Sequence, residues 1–319
     1  MKKCRFLAIL LAITTLFSAL CLAAAAEETK DSPIKGKNVL FVGDSICEAY
    51  VEWNTSGYTK EFCGWAARIE KSDGIHGTNY SKSGASLSNC RGTNTILAQL
   101  QKAAGKKFDL VVLHGGVNDA WDGAPVGRME TGFDASFDKT TFGGGLEATI
   151  AYAKKTFPDA KLCFVINFAL PAATKGVSLT DMSAYFALAK KICDKWEVPY
   201  LDLYNNNEVN TALQVATSKT YLHDHIHPTS KGYDVLSPYI AEFLRSLYTP
   251  KYKVGDVNGN GGVDPMDYMF IRSYYLKTGI NIPADYVERM NLDGKPGVTP
   301  MDIMLLRAII LGTYKPDAN

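Results

Sequence analysis

The sequence has almost no excess of charge of either sign. Its 319 residues contain 34 Lys and Arg against 33 Asp and Glu, which gives a formal net charge of +1. Binding to nucleic acid or to an anionic membrane surface depends on clustered positive charge. We therefore expect neither nucleic acid nor a membrane among the partners of this chain.

Long hydrophobic runs are scarce, and the single one stands at the start of the chain. It covers residues 6–22, follows a short basic stretch, and leads into the small residues 24–26. This order is typical of a secretory signal peptide, here cleaved near Ala26, with an uncleaved membrane anchor as the alternative. No later run is long enough to span a membrane.

Cysteines are few, and their number after the expected signal peptide is odd. Of seven in the chain, two precede Ala26 and five remain: Cys47, Cys63, Cys90, Cys163 and Cys193. An odd number in an exported chain leaves at least one thiol free or paired elsewhere. Cys163 lies in an apolar run and is expected to be buried, whereas a bridge between Cys63 and Cys90 is a hypothesis that spacing alone does not settle.

From Val39 to about Tyr248, short apolar runs alternate with helix-like patterns, which predicts an α/β fold with a parallel sheet covered on both faces. The strand candidates are 39–42, 79–81, 110–114, 162–166 and 200–202, and the helix candidates are 65–71, 95–104, 146–155, 179–196 and 230–247. Two long connections, 46–64 and 120–145, follow strand ends and carry aromatic residues such as Trp53 and Trp121. We expect them to wall or cover a binding site, with plain packed surface loops as the alternative.

Four short polar motifs follow the predicted strands in order. Ser45 comes after the first strand, Gly84 after the second and Asn118 after the third, while Asp224 and His227 precede the last helix. Because the carboxyl ends of parallel strands meet at one edge of a sheet, we expect these motifs to converge.

The converging residues are those that acyl transfer requires. A serine hydroxyl is a weak nucleophile at neutral pH, and an imidazole held by a carboxylate activates it. Ser45, His227 and Asp224 can fill the roles of nucleophile, base and orienting acid, while the Ser45 and Gly84 amides and the Asn118 side chain can donate to an oxyanion. Each motif alone is common in structural roles, so the prediction depends on their conjunction.

These motifs in this order resemble the GDSL/SGNH hydrolase family over about residues 37–247. The resemblance implies a flavodoxin-like, three-layer α/β/α fold and esterase or deacylase chemistry that needs no cofactor. It also implies Ser45, Asp224 and His227 as the catalytic triad, and Ser45, Gly84 and Asn118 as the oxyanion hole. The neighbouring Asp44 and Asp119 are interpreted as structural turn residues.

A metal site is the competing interpretation of the last motif. His223, Asp224, His225 and His227 alternate as zinc ligands can. No second cluster of ligands accompanies them in the sequence, and a zinc site would leave the three upstream motifs unexplained.

After Tyr248 the sequence changes character, and residues 249–319 contain an internal repeat. Pro265-Met266-Asp267 recurs as Pro300-Met301-Asp302, and similar helix-like runs follow both. Such a repeat indicates two similar units packed together. The segment before each run has oxygen-bearing side chains at the spacing of a calcium-binding loop.

The first loop has a full set of calcium ligands and the second a poorer one. The first set is Asp256, Asn258, Asn260, the carbonyl of Gly262, Asp264 and Asp267. The second set is Asn291, Asp293, Thr299 and Asp302, with Lys295 at a ligand position and Pro296 where a positive φ is wanted. We expect structural Ca²⁺ in the first loop and weak or altered binding in the second.

The paired loops resemble a type I dockerin over about residues 253–313. The resemblance implies docking to a cohesin domain of a scaffold protein, as in a cellulosome-type complex. The contact residues it implies are Pro265, Met266, Arg272, Pro300, Met301 and Arg307. Two near-identical sets would allow two binding orientations, while core packing is the alternative role for the two methionines.

These observations together predict a secreted serine esterase in three parts. The parts are a signal peptide (1–26), a hydrolase domain (27–248) and a small all-α dockerin domain (249–319). The expected substrate is an acyl ester, above all an acetyl ester, on plant cell-wall polysaccharide such as xylan. The alternatives are a lipase, a feruloyl-type esterase, and an inactive carbohydrate-binding or adaptor module on the same fold.

Overall fold

The sheet is parallel throughout, as the sequence predicts. The computed structural model describes residues 32–55, 64–134, 136–170, 181–213, 220–249, 253–278, 282 and 284–316. Within them, five strands pair in the order β2-β1-β3-β4-β5. These are β1 (Asn38–Val42), β2 (His76–Asn79), β3 (Leu110–His114), β4 (Lys161–Ile166) and β5 (Tyr200–Asp202).

Helices follow most of the strands. In the part of the chain around the sheet they are α1 (Ser45–Glu48), α2 (Tyr50–Thr55), α3 (Gly64–Asp73), α4 (Ile96–Gln101), α5 (Val117–Trp121), α6 (Phe142–Thr156), α7 (Ser183–Lys195), α8 (Asn207–Leu213) and α9 (Ser230–Ser246). Helix α3 packs against α9, and α6 packs against α4 and α7. In the strand order, β2 lies on one side of β1, and β3, β4 and β5 follow on the other side. Because crossovers between parallel strands are right-handed, this change of direction places α3 and α9 on one face of the sheet and α4, α6 and α7 on the other.

The central strands are buried because their residues are apolar on both faces. Every residue of β3 is buried, as are the last four of β1 and of β4. Trp65 of α3 packs edge-to-face on Phe41 of β1, with ring centroids 5.3 Å apart. Cys163 is fully buried in β4, as predicted, and Cys90 is free and exposed; Cys63 lies outside the described residues.

Two predicted elements are placed differently in the structure. The second strand covers His76–Asn79, so the predicted strand at 79–81 is wrong by about three residues. It ends there because the Asn79 side chain accepts a hydrogen bond from the backbone of Ser81 at 2.9 Å, which turns the chain. The predicted connection 46–64 also contains α1 and α2, while residues 56–63 lie outside the described part of the chain.

Residues beyond Lys253 build a separate small core. Its helices are α10 (Pro265–Leu276), α11 (Ala284–Arg289) and α12 (Pro300–Ile310), and α10 packs against α12. Its fully buried apolar side chains, among the described residues, are Val257, Ile271, Met290 and Leu306. Helices α10 and α12 both begin with Pro after a capping box, so the repeat in sequence is a repeat in structure.

None of the described helices combines the length and the apolar character that crossing a membrane requires. The predicted signal peptide, residues 1–26, lies outside the described residues.

Candidate active site

Ser45 lies at the first turn of α1, directly beyond the end of β1. Asp44 caps this short helix, and its carboxylate accepts a hydrogen bond from the Ile46 amide at 3.0 Å. Gly43 lets the turn fit, since a Cβ there would lie 2.8 Å from Cβ of Cys47. The Ser45 side chain is thus presented at the edge of the sheet by a tightly packed turn.

Asp224 and His227 are brought together by a closed loop before α9. An antiparallel bridge joins Leu222 to Pro228, and the His223 amide donates to the His227 carbonyl at 2.8 Å. Inside the loop, the Asp224 carboxylate accepts from the backbone amides of Ile226 at 3.2 Å and His227 at 2.9 Å. The three-residue spacing therefore presents both side chains on one side of the loop.

The three predicted triad side chains form one hydrogen-bonded chain. His227 Nδ1 lies 2.7 Å from Asp224 Oδ2, and His227 Nε2 lies 2.8 Å from Ser45 Oγ. Burial acts to raise the pKa of Asp224, but hydrogen bonds from the ring and backbone of His227 outweigh it and lower this pKa to about 2. The acid is therefore ionised at neutral pH and holds the imidazole with Nε2 towards the serine.

Donors for an oxyanion surround the Ser45 hydroxyl. Asn118 lies one turn into the segment after β3, and its Nδ2 donates to the Ala85 carbonyl at 2.8 Å, which leaves one amide hydrogen of Asn118 for a ligand. Gly84 has a φ of +75°, a conformation that favours glycine. No described residue accepts a hydrogen bond from the backbone amide of Ser45 or Gly84.

A cavity of about 200 Å³ connects these groups. Its lining is Ser45, Ser83, Gly84, Arg91, Val117, Asn118, Trp121, Ile226 and His227. All members of the predicted triad except Asp224, and all the predicted oxyanion donors, therefore line one cavity, with Asp224 behind the imidazole. Their roles in catalysis remain predictions.

Two acids hold the segment that carries Gly84: the half-buried Glu48, which no sequence motif includes, and the buried Asp119, which is predicted as a structural turn residue. Glu48 of α1 accepts a hydrogen bond from the Ser83 amide at 2.5 Å. Burial raises the pKa of Glu48 and outweighs this hydrogen bond, which acts to lower it. Asp119 accepts from the amides of Leu87 at 2.8 Å and Ser88 at 2.7 Å, in keeping with its predicted structural role. The Gly84 turn is thus tied on one side to Ser45 and on the other to Asn118.

A second Asp–His pair lies buried beneath the nucleophile turn. His114 Nδ1 lies 2.9 Å from the Val165 carbonyl, which can only accept, so Nδ1 carries a proton. Its Nε2 faces Asp44 Oδ1 at 3.6 Å, and the two side chains are only 2 % and 1 % exposed. Neither His114 Nε2 nor Asp44 Oδ2 has a hydrogen-bond partner among the described residues. Two buried polar side chains therefore face each other beneath the turn that carries Ser45.

Among the described residues of the predicted connection 120–145, only Trp121, at the end of α5, lines the cavity. Further along, Lys195 of α7 donates to the carbonyls of Glu130 and Gly132, both at 2.8 Å, and pairs with the buried Glu147. This stretch is fastened to α7 as a packed surface loop, which was the alternative to a binding wall. The side chain of Trp53 lies outside the described residues.

Metal-ligand clustering is absent from the described residues: no three His, Cys, Asp or Glu side chains there gather in a way that could hold a metal ion. Asp224 bonds to one ring nitrogen of His227 and Ser45 to the other, so both nitrogens of this imidazole face protein groups. The backbone of His225, between them, has a positive φ of +69°.

The first predicted calcium loop is ordered around two buried carboxylates. Asp256 accepts from the amides of Asn260 at 3.0 Å and Gly261 at 2.8 Å, and Asp267 accepts from Asn258 at 3.0 Å. The side chain of Asp264 instead caps α10. Two buried carboxylates with amide and carbonyl oxygens nearby suit a hard cation such as Ca²⁺, and its binding remains a prediction.

The second loop is arranged differently. The Asn291 side chain bonds to its own loop, accepting from Gly294 at 2.9 Å and donating to the Lys295 carbonyl at 2.6 Å. Positive φ values occur at Gly294 and Gly297, on either side of Pro296. Asp302 is buried; burial acts to raise its pKa, and backbone hydrogen bonds from Thr299 and the loop outweigh this and lower it.

A parallel sheet with a Ser–His–Asp chain at its carboxyl edge defines a serine hydrolase of the α/β class. The family model for GDSL-like lipases and acylhydrolases matches residues 41–235. The chain belongs to this family.

Solved structures share the fold at low sequence identity. A protein from Lactobacillus plantarum is 21 % identical with a TM-score of 0.54, over 67 % of this chain and 98 % of that one. A structure described as a possible lipase from Chitinophaga pinensis is 16 % identical with a TM-score of 0.51, over 66 % and 98 %. An acetyl xylan esterase from Geobacillus stearothermophilus is 18 % identical with a TM-score of 0.47, over 66 % and 96 %. No curated protein matches the chain.

Proposed function

We propose that the protein is a secreted serine esterase that removes acetyl groups from plant cell-wall polysaccharide such as xylan. The observation that carries the proposal is the chain from Asp224 through His227 to Ser45, with hydrogen bonds of 2.7 and 2.8 Å, beside unpaired amide donors. Membership of the acylhydrolase family supports ester hydrolysis in general. The choice of polysaccharide as substrate and of acetyl as the acyl group goes beyond family membership and is part of the proposal.

The proposed reaction follows from the contacts of each group. His227 Nε2 takes the proton as Ser45 Oγ attacks the ester carbonyl, and the resulting oxyanion accepts from the Ser45 and Gly84 amides and from Asn118. Collapse breaks the bond to the alcohol, which leaves with the proton from His227. Water then repeats the sequence on the acyl-serine, releasing the acid and restoring the hydroxyl.

The size and chemistry of the cavity support a short acyl group. It has a volume of about 200 Å³, is open to solvent, and includes the polar residues Ser83, Asn118 and Arg91 in its wall. An acetyl group fits such a space, whereas a fatty acyl chain requires a long apolar surface to leave water. This favours acetyl esters over lipids.

We further propose that the domain at residues 249–319 acts as a calcium-loaded dockerin that binds a cohesin domain. Met266 and Met301 are 51 % and 47 % exposed, so neither fills the core, and Arg272 and Arg307 are exposed on the following turns. Exposed methionines at matching positions of α10 and α12 suit an apolar partner surface. Docking to a fibre-degrading scaffold outside the cell favours a polymer-bound ester as substrate.

The test of the catalytic proposal is acetate release from acetylated xylan by the full chain and by its Ser45→Ala variant. We expect the variant to lose at least about 10³-fold in kcat, with an unchanged midpoint of thermal unfolding. Release of ferulate or of long-chain fatty acid in preference to acetate would point to the alternative esterases. Full residual activity in the variant, or no turnover of any ester by the natural sequence, would contradict the proposal.

A further inference from the structure

Two residues that no motif includes, Trp121 and Arg91, line the cavity beside Ser45, and Asp122, which is not part of the lining, pairs with Arg91. Trp121 ends helix α5, three residues after Asn118, so both side chains project from the same face of one helical turn into the cavity. The Trp121 indole is 42 % exposed, although large apolar side chains are usually covered. Arg91 lines the same cavity and pairs with Asp122, the residue after Trp121.

The ion pair between Arg91 and Asp122 fixes the guanidinium in one orientation. Arg91 Nε and Nη2 lie 2.5 and 2.8 Å from the two Asp122 oxygens, so the pair is bidentate. The third nitrogen, Nη1, lies 3.1 Å from the point where a Cβ of Gly84 would be. It faces the oxyanion side of the cavity, and no described residue accepts a hydrogen bond from it.

The charge of this wall is balanced. Hydrogen bonding to Arg91 lowers the pKa of Asp122, and the same bond raises the pKa of Arg91. Both groups are therefore ionised at neutral pH, and the wall offers fixed donors and acceptors without net charge. Such a surface suits a neutral polar ligand better than an anionic one.

We propose that Trp121 and Arg91, whose guanidinium Asp122 holds in place, form a subsite for a neutral sugar ring next to the scissile ester. This inference rests on the proposed function. A pyranose has apolar C–H faces, which can pack on the indole, and hydroxyl groups at its edge, which can accept from Arg91 Nη1. With an acetyl group as the acyl part, the sugar is the only bulky part of the substrate left for this wall to contact.

The test compares a sugar ester with a simple ester. We expect Trp121→Ala to lower kcat/KM for acetylated xylo-oligosaccharide by about tenfold, mainly through KM, and for 4-nitrophenyl acetate by less than about twofold. Trp121→Phe, which keeps a ring, should recover part of the loss. The matched control is Tyr274→Ala on α10, since Tyr274 is 40 % exposed and lies outside the cavity.

Arg91→Ala should give the same selective loss on the sugar ester. Its control is Lys190→Ala, which removes an ion pair of similar exposure, with side chains 30 % and 22 % exposed against 30 % and 29 %. Equal losses on both esters would mean that the substitutions only disturb α5, and no loss would mean that the wall does not touch the sugar. A preference for a uronic acid ester over the neutral sugar would overturn the charge argument.

Binding to an inactive variant separates this inference from the proposed function. Ser45→Ala should bind acetylated xylo-oligosaccharide in calorimetry, and adding Trp121→Ala should weaken that binding by about tenfold. If the natural sequence hydrolysed no ester but sugar binding still depended on Trp121, the subsite would be supported and the proposed esterase activity would be contradicted. Binding unaffected by Trp121→Ala would overturn the subsite and leave the esterase.

Discussion

Asp224 is the residue whose environment most directly determines the protonation state of the site. Its carboxylate is half exposed, yet its pKa falls to about 2, because the ring and backbone of His227 donate to the ionised form and outweigh the effect of burial. Since this folded pKa lies below the ordinary value, the ionised carboxylate stabilises the folded state at neutral pH. That contribution is lost as the pH falls from about 4 towards 2.

We therefore expect Asp224→Ala to be less stable than the natural sequence at pH 7, and the difference to shrink between about pH 4 and pH 2. Urea unfolding over a pH series measures it, with Ser45→Ala as a control that removes no titratable group. Activity of Asp224→Ala should be about 10³- to 10⁴-fold lower at pH 7. A stability difference that grew on acidification would contradict the proposed ionisation.

His114 matters because its buried imidazole faces the buried carboxylate of Asp44 at 3.6 Å. In His114→Phe the ring shape is retained but both ring nitrogens are lost, which leaves a carboxylate only 1 % exposed opposite an apolar ring. We expect a loss of about 3 kcal/mol in the free energy of unfolding and reduced esterase activity, since Asp44 caps the helix that begins at Ser45. His76→Phe, at an exposed site in β2, is the control. An unchanged midpoint of thermal unfolding would mean that the contact between His114 and Asp44 does not stabilise the fold.

At the scale of elements, α6 illustrates what the sequence does and does not predict. The apolar pattern predicts the helix from Leu146, but it begins at Phe142, because the Thr141 side chain accepts from the Gly144 amide at 3.1 Å. The first turn of the helix contains three glycines, and because glycine has a low helix propensity, the sequence pattern does not predict this turn. They are required there by tertiary contacts that no local pattern contains.

Gly145 makes this tertiary requirement testable. A Cβ at this position would lie 2.2 Å from the Leu87 carbonyl oxygen, in the segment that Asp119 also holds. Gly145→Ala should therefore lower the midpoint of thermal unfolding by roughly 5–10 °C, although alanine favours helix. Gly132→Ala has no atom within 4 Å of the added Cβ and should leave the midpoint unchanged. Equal midpoints for the two variants would refute the close packing.

At the scale of the whole molecule, the order of strands and motifs along the chain is enough to predict which residues meet at the active site. Four motifs at strand ends suffice to bring Ser45, Asn118 and His227 to one sheet edge, because parallel topology fixes where strands end. Glu48, Arg91 and His114 are not predicted as part of the site, since their partners lie between about 30 and 50 residues away and no local sequence pattern connects them. Trp121 is predicted as an aromatic of a long connection, but only the fold distinguishes it from the packed residues of that loop.

Since the proposed calcium sites and the proposed catalytic residues lie in different parts of the chain, we expect a chelator to affect cohesin binding but not ester hydrolysis. The ligands proposed for Ca²⁺ all lie beyond residue 253, and the triad needs only side chains of the hydrolase part. Excess EDTA should therefore abolish binding to a cohesin domain, and added Ca²⁺ should restore it, because the loop before α10 loses the cation that its carboxylates share. Hydrolysis of 4-nitrophenyl acetate should be unchanged in the same samples.

Two variants serve as controls for this experiment. Ser45→Ala should keep calcium-dependent cohesin binding without hydrolysis, and Asp256→Ala should keep hydrolysis while losing binding. If EDTA reversibly abolished hydrolysis and zinc restored it, the histidines around Asp224 would be metal ligands after all. Binding to cohesin that persisted in EDTA and in Asp256→Ala would instead separate docking from calcium, because the loop before α10 would then hold its shape through the backbone hydrogen bonds to Asp267 alone.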